Sequence, residues 1–92
     1  MTEAVTDITS ILAERRNQHG DFSVHAVLTQ RLKAVAWSDV GGYSSLTDVQ
    51  REAVDMILHK IGRILAGNPN HRDHWDDIAG YAKLVSDRIK TA

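Results

Sequence analysis

The sequence contains no cysteine, and this absence removes several kinds of chemistry at once. Disulfide bonds, zinc–thiolate sites and catalysis by a cysteine nucleophile all need a thiol, so none of them applies to this chain. A chain without cysteine is compatible with a reducing cytosol, although many exported proteins lack cysteine as well.

Long apolar runs are absent too, and neither sign of charge dominates. No segment approaches the roughly 18 consecutive apolar residues that a membrane-spanning helix needs. The N-terminal stretch MTEAVTDITSILAERR carries acidic residues early and has no unbroken apolar run, so we expect no signal peptide there. Eleven basic and twelve acidic residues give a formal net charge of -1, which provides no overall field for nucleic acid or an anionic membrane. We therefore expect a soluble, cytoplasmic protein that binds neither.

Proline is scarce and strand-like alternation is absent, so the pattern favours helices. Apolar residues instead recur at three- and four-residue spacing. A polar, glycine-bearing stretch at 38–46 is predicted to be a loop. The spacing predicts four helices. The first covers about 3–17 and is followed by Gly20 as a left-handed cap, and the second covers about 22–37. The third runs from a capping box of Thr47 and Gln50 to a stop at Gly67 and Pro69, and the fourth runs from an Asn70 cap to about Lys90.

The length of the chain limits its architecture. At 92 residues it is predicted to be a single domain over residues 1–92. A chain this short buries only about 60–65% of its unfolded surface, so a second subunit would help to complete the core. Short connections between helices are typical of antiparallel neighbours. We therefore predict an all-α, four-helix antiparallel bundle that forms a homodimer or a higher homo-oligomer.

The third and fourth helices each carry a pair of carboxylates on one face. At about 100° per residue, Glu52 and Asp55 are neighbours on the third helix, opposite its apolar stripe. Asp73 and Asp77 lie one turn apart on the fourth helix. Like charges this close destabilise a helix by a few tenths of a kcal/mol, and a divalent cation between the two helices would remove the repulsion. The pattern predicts a Mg²⁺ site, with a solvated acidic face as the alternative.

Four further residues of interest lie on the second and fourth helices, and two of them, Trp37 and Gly80, have two interpretations. Asp76 points away from the Asp73–Asp77 pair, towards solvent. Trp75 lies on the predicted core stripe of the fourth helix. Trp37, at the end of the second helix, is a candidate for stacking on a base, with core or interface packing as the alternative. Gly80 predicts a close helix approach or, less favoured, room for a ligand.

The order of these motifs resembles that of the all-α nucleoside triphosphate pyrophosphatases, the MazG-like and dimeric dUTPase-like superfamily. Its pattern is E-x-x-E on one helix and E-x-x-D on the next. Here EAVD at 52–55 is followed by DHWDDIAGYA at 73–82. The chain therefore carries a related pair of acidic motifs in the same order.

A narrower resemblance links the chain to a small, phage-associated MazG-like group and covers about residues 12–85. That group shares an R…HGDF start, here Arg16 and residues 19–22. It also shares a K-x-x-R-I-L…DHWDDIAGYA end, here Lys60, residues 63–65 and the stretch quoted above. If the chain is encoded by a phage, its expected location is the host cytoplasm.

The resemblance implies Mg²⁺ (or Mn²⁺) held by acidic residues, and hydrolysis between the α- and β-phosphates of a nucleotide. Carried over, Glu52 and Asp55 form the first metal-binding and catalytic pair. The second pair is Asp73 with Asp77, or Asp73 with Asp76 in strict spacing.

Other residues would serve the nucleotide itself. Lys60 and Arg63 would offset the charge of the phosphates. His19 and Asp21 in QHGDF would lie near the nucleotide or form a plain helix connection, and Trp37 would stack on the base.

The chain departs from the superfamily pattern in its carboxylates. The first motif ends in Asp55 and the second begins with Asp73, and these shorter side chains change the reach to a metal. Three functions remain open. The first is a Mg²⁺-dependent nucleoside triphosphate pyrophosphohydrolase, and the second is a non-catalytic phage-type protein that sequesters a nucleotide immune signal. The third is a structural module with a solvated acidic face.

Overall fold

The computed structural model describes residues 3–38, 40 and 45–90, and this part of the chain contains helices but no strands. The helices are α1 (Glu3–His19), α2 (Phe22–Ala36), α3 (Asp48–Ala66) and α4 (Arg72–Ser86). They pack against one another, with α3 between α2 and α4, whereas α1 makes few contacts with the other helices. The prediction of an all-α, four-helix bundle is confirmed. None of the described helices is long and apolar enough to cross a membrane.

The start of α3 is fixed by the predicted capping box. The Thr47 hydroxyl accepts a hydrogen bond from the Gln50 backbone N–H at 3.1 Å, and the Gln50 side chain accepts one from the Thr47 backbone N–H at 2.9 Å. These bonds satisfy two donors that a helix start would leave without partners. Gly67 caps the other end, as predicted.

The connection between α1 and α2 turns at Gly20, whose φ of 86° is left-handed, as predicted. A side chain there would also collide with the backbone of Ala66, so the turn lies directly against the end of α3. Asp21 then caps α2 by accepting a hydrogen bond from the Ser23 backbone N–H at 2.9 Å. The QHGDF stretch is therefore a tight connection that fixes α1 against α3.

The bounds of three helices differ from the predicted ones. α1 continues to His19, α2 ends at Ala36, and α4 ends at Ser86, four residues before the predicted Lys90. Of the predicted loop at 38–46, residues 39 and 41–44 lie outside the described residues.

The predicted Asn70 cap of α4 is wrong. His71 is the N-cap residue of α4. The Asn70 backbone N–H instead donates to the Asn68 side-chain oxygen at 2.9 Å, because Asn68 organises the preceding turn.

The buried face of α4 is rotated from the predicted stripe. Trp75 was predicted to lie in the core, but it is 53% exposed and its indole N–H donates to the Pro69 carbonyl at 2.8 Å. His74 takes the buried position and is only 1% exposed. Ile78 and Val85 of the predicted stripe are half-buried. The buried face of α4 is rotated because the His74 ring donates a hydrogen bond to the Gln18 backbone carbonyl on α1.

Two glycines show where the helices approach closely. A Cβ at Gly62, which is buried in α3, would meet the Thr29 hydroxyl and the His25 ring on α2. At Gly80 the predicted close approach is wrong, because no described atom outside its own helix lies within 4 Å of where a Cβ would stand. The small residue that permits close packing is therefore Gly62.

Alanine substitutions at these glycines should have opposite effects on stability. Gly80→Ala should stabilise the protein by up to about 0.8–1.0 kcal/mol, because alanine favours the helix and nothing obstructs its methyl group. Gly62→Ala should destabilise it, because overpacking costs about 1–3 kcal/mol and exceeds the same helix gain. Urea unfolding followed by circular dichroism measures both. Stabilisation by Gly62→Ala would contradict the close packing of α2 on α3.

Candidate functional site

The predicted acidic residues on the buried sides of α3 and α4 already have protein partners. Asp77 forms an ion pair with the buried Lys60 at 2.7 Å, and the hydrogen bond from Lys60 lowers the pKa of Asp77 below its usual range. Asp55 accepts a hydrogen bond from the Trp37 indole N–H at 2.8 Å. The Trp37 ring also lies 5.5 Å from the Arg51 guanidinium. Trp37, predicted to stack on a base, is thus anchored to α3.

The remaining predicted carboxylates lie towards solvent. Glu52 is exposed. Asp73 lies 3.7 Å from the His71 ring, with a side chain that is 78% exposed. Asp76 pairs with Arg72 at 3.4 Å one turn away. Within residues 3–38, 40 and 45–90, no three His, Asp or Glu side chains come close enough to hold one metal ion. The described part of one chain therefore does not bring such a group together, and the magnesium site stays a prediction.

A basic cleft lies where α1 and the turn that follows it meet the start of α2 and the last turns of α3. Its volume is about 540 Å³. The residues that line it include three arginines, three histidines and no carboxylate: Leu12, Arg15, Arg16, His19, Gly20, Phe22, His25, His59 and Arg63. We refer to this feature as the basic cleft. Of the predicted nucleotide-binding residues, it brings together His19 and Arg63.

The cleft carries its positive charge on arginines, while two of its histidines are held neutral. Burial, followed in size by the nearby Arg63, lowers the pKa of His19 to about 4. Burial and the same Arg63 lower the pKa of His59 to about 4 as well. Burial also lowers the pKa of Arg63. Cations close together and partly removed from water repel one another, so this site favours an anion.

His25 forms part of the rigid wall of the basic cleft. It is 6% exposed, and its Nε2 donates to the backbone carbonyl of His59 at 3.1 Å. The two rings meet edge to face with centroids 4.6 Å apart. His59 and Arg63 stand one turn apart on α3, so the same helix face presents both to the cleft.

The other wall of the cleft depends on a contact between the two motifs of the narrow resemblance. His74, on α4, donates from Nε2 to the Gln18 backbone carbonyl at 2.9 Å. His19 Nδ1 lies 3.3 Å from His74 Nε2. Burial lowers the pKa of His74. The Asn68 backbone N–H also donates to the Gln18 carbonyl, at 3.1 Å. The end of α1 is therefore attached to the start of α4.

Several residues of the site were missed in the sequence. Arg16 was noted only as part of the R…HGDF motif and was given no role, Arg15 was not singled out, and the histidines did not look like one set because they are far apart in the chain. The one local signal was His74, a polar residue between half-buried positions of an amphipathic helix. Lys60 was predicted to face phosphates, but it does not line the cleft and instead pairs with Asp77.

The fold and the site define an all-helical protein with a basic cleft at the junction of its first three helices. The chain belongs to the family described as a domain of unknown function (DUF6378), whose model matches residues 5–89. Comparisons with the curated proteins and with the solved structures gave no match.

The lowered histidine pKa values predict a loss of stability in mild acid. The folded pKa of about 4 for His19 and His59 lies below the ordinary value of 6.5, so the unfolded chain binds protons more readily in this window. Stability should therefore fall as the pH drops from about 6.5 towards 4. A loss of even about 1 kcal/mol lowers the Tm of a domain this size by about 4–8 °C.

Thermal denaturation at pH values from 7 down to 5 measures this effect. His59→Gln should reduce the slope, whereas Arg72→Gln, a charge change at an exposed position, should keep it. An unchanged Tm across the range, or equal slopes in all three proteins, would contradict the assigned burial of the histidines.

Proposed function

We propose that the protein binds a nucleotide or a nucleotide-derived small molecule and holds its phosphates in the basic cleft. The observation that carries this proposal is the lining of the cleft, with three arginines and three histidines and no carboxylate among the described residues that form it. Its volume of about 540 Å³ lies within the range of about 300–1,000 Å³ that is usual for small-molecule sites. A phosphate-bearing anion would relieve the repulsion among the guanidinium groups.

Each group in the cleft has a suitable role towards such a ligand. Arg63 is half-buried and fixed on α3, so its guanidinium can bind a phosphate with two parallel hydrogen bonds. Arg15 and Arg16 are exposed on α1 and can close over the ligand from the other side. The neutral His19 ring can donate an N–H to a phosphate oxygen. Phe22, 79% exposed at the edge, offers an aromatic face for a base.

Two versions of this function differ in turnover. The MazG-like resemblance supports Mg²⁺- or Mn²⁺-dependent pyrophosphohydrolysis by Glu52, Asp55, Asp73 and Asp77. Binding without turnover, as in a protein that sequesters a nucleotide signal, is supported by a specific observation. Trp37 and Lys60 occupy the carboxylates of Asp55 and Asp77, which the hydrolase would need for metal. We infer binding as the function, and derive no step through a metal.

Assembly and location belong to the proposal as well. Among the described residues, Ala53, at 7% exposure, is the one hydrophobic residue that is buried, so a single copy builds little core. We therefore propose that the working form is a homo-oligomer. A nucleotide ligand also favours a soluble protein in the cytoplasm, which would be that of the host if a phage encodes the chain.

Binding should be detectable as thermal stabilisation by a panel of linear and cyclic nucleotides, each with and without Mg²⁺. A ligand present at 100 times its dissociation constant adds about 2.7 kcal/mol to the free energy of unfolding. Arg63→Gln should remove most of this shift, because losing a hydrogen bond between charged groups costs about 1.5–3 kcal/mol. Arg72→Gln, at an 89% exposed side chain outside the cleft, is the matched control and should keep the full shift. No shift with any nucleotide, or equal shifts in both variants, would contradict the proposal.

Pyrophosphate measured in the same samples separates the two versions. Turnover that needs Mg²⁺ and is lost in Asp73→Asn, at a mostly exposed side chain, would establish the hydrolase. A nucleotide-dependent shift without pyrophosphate release is the expected result for a binding protein.

A further inference from the structure

A second, apolar groove runs between α2 and α3 and shares no lining residue with the basic cleft. Its volume is about 430 Å³. Six aliphatic residues and one arginine line it: Leu28, Arg31, Leu32, Val35, Ala36, Leu58 and Leu65. We call this feature the α2–α3 groove. Its lining excludes a phosphate or a metal ion as the main ligand and favours another apolar surface.

The walls of the α2–α3 groove are exposed to an unusual degree. Val35 is 73% exposed and Leu65 is 60% exposed. Val24, one turn before Leu28 on α2, is 49% exposed and extends the same apolar stripe along the helix. A contiguous apolar surface of this kind marks an interaction site in a soluble protein.

The total surface of the chain indicates how much of it a partner should cover. A compact monomer of 10.2 kDa is expected to expose about 5,300 Å², whereas this chain exposes 6937 Å². The radius of gyration is 16.3 Å, against about 12 Å for a compact chain of this length. The excess of roughly 1,600 Å² is about twice the 800 Å² that each partner loses in a standard interface. One copy therefore exposes enough surface for a stable dimer.

We propose that the α2–α3 groove is the interface between two copies of this chain, with the α2–α3 pair of one copy packed on that of the other. The partner is a second copy because one chain buries little apolar surface by itself, and closed two-fold dimers are the commonest oligomers of soluble proteins. The face is also self-complementary in chemistry. Val35 and Leu65 project from its walls, and a two-fold axis would place each beside the apolar groove of the partner. Arg31 is exposed, so its long side chain can pack beside the groove while its charge remains in water.

This arrangement uses none of the residues that line the basic cleft, because the two features share no lining residue. A dimer would thus carry two separate nucleotide sites. The inference depends on the proposed self-association but not on nucleotide binding.

Sedimentation velocity of the full chain tests the interface, with Val35→Glu and a matched control, Leu84→Glu, at a 52% exposed position on α4. The wild type and Leu84→Glu should be dimeric or larger. Val35→Glu should raise the dissociation constant at least about tenfold, since it places a charge in an apolar interface. A monomeric wild type would overturn self-association as well and leave the groove to a different partner. An oligomer that Val35→Glu does not weaken would overturn only the assignment of the face.

Cross-linking keeps the test valid if Val35→Glu fails to fold. The chain has no cysteine, so Val35→Cys introduces a single thiol of similar size and polarity. A short bis-maleimide should link Val35→Cys chains into covalent dimers far more efficiently than Leu84→Cys chains. Equal yields for the two variants would overturn the proposal.

Discussion

The hydrogen bond from the buried His74 ring to the Gln18 backbone carbonyl holds α1 against the rest of the molecule. Without it α1 would have few contacts, because its own apolar side chains are largely exposed. Asn68 donates to the same carbonyl, so the turn before α4 and the end of α1 are fixed together. This attachment positions Arg15, Arg16 and His19 opposite the basic face of α3. The basic cleft depends on this polar junction together with the Gly20 turn, which lies against Ala66.

The chemistry of the cleft follows from placing like groups together. Burial, and after it Arg63, lowers the pKa of His19 and of His59, so both rings are neutral and the arginines keep the positive charge. Such an arrangement costs stability in the absence of a ligand, and groups with displaced pKa values are common at functional sites. A phosphate-bearing ligand would offset the repulsion among these basic groups, since its negative charge stabilises both the guanidinium groups and protonated imidazoles. The acidic motifs contribute differently, because Asp77 and Asp55 fix Lys60 and Trp37 within the bundle.

Local rules predicted the parts of the fold that local forces determine. The capping box at Thr47 and the left-handed turn at Gly20 follow from hydrogen bonding and backbone sterics within a few residues, and both were found. Trp75 and Asn70 were misplaced because contacts made elsewhere decide them. The indole of Trp75 bonds to the turn, and Asn68 organises the residues before α4. Helical periodicity put Trp75 on the core stripe, but it carries no information about the acceptor that His74 finds on α1.

The candidate site was predictable only in part, for a related reason. His19 and Arg63 were singled out by their motifs, and the structure brings them into one cleft. Arg16, which belongs to the same motif as His19, lines this cleft together with Arg15 and His25, but a role for these three residues appears only when α1 folds back on α3. Tertiary packing determines which side chains meet in a site that is assembled from three helices. The spacing of residues along one helix does not reveal that packing.

The measurement that tests the account most directly is an NMR titration of the histidine rings with and without inorganic tripolyphosphate. This probe carries the phosphates without a base, so it isolates the proposed role of the basic cleft. Binding should raise the pKa values of His19 and His59 from about 4 by about one unit or more, because the bound negative charge favours imidazolium. Rings that titrate identically in saturating tripolyphosphate would contradict the assignment of the cleft as the phosphate site.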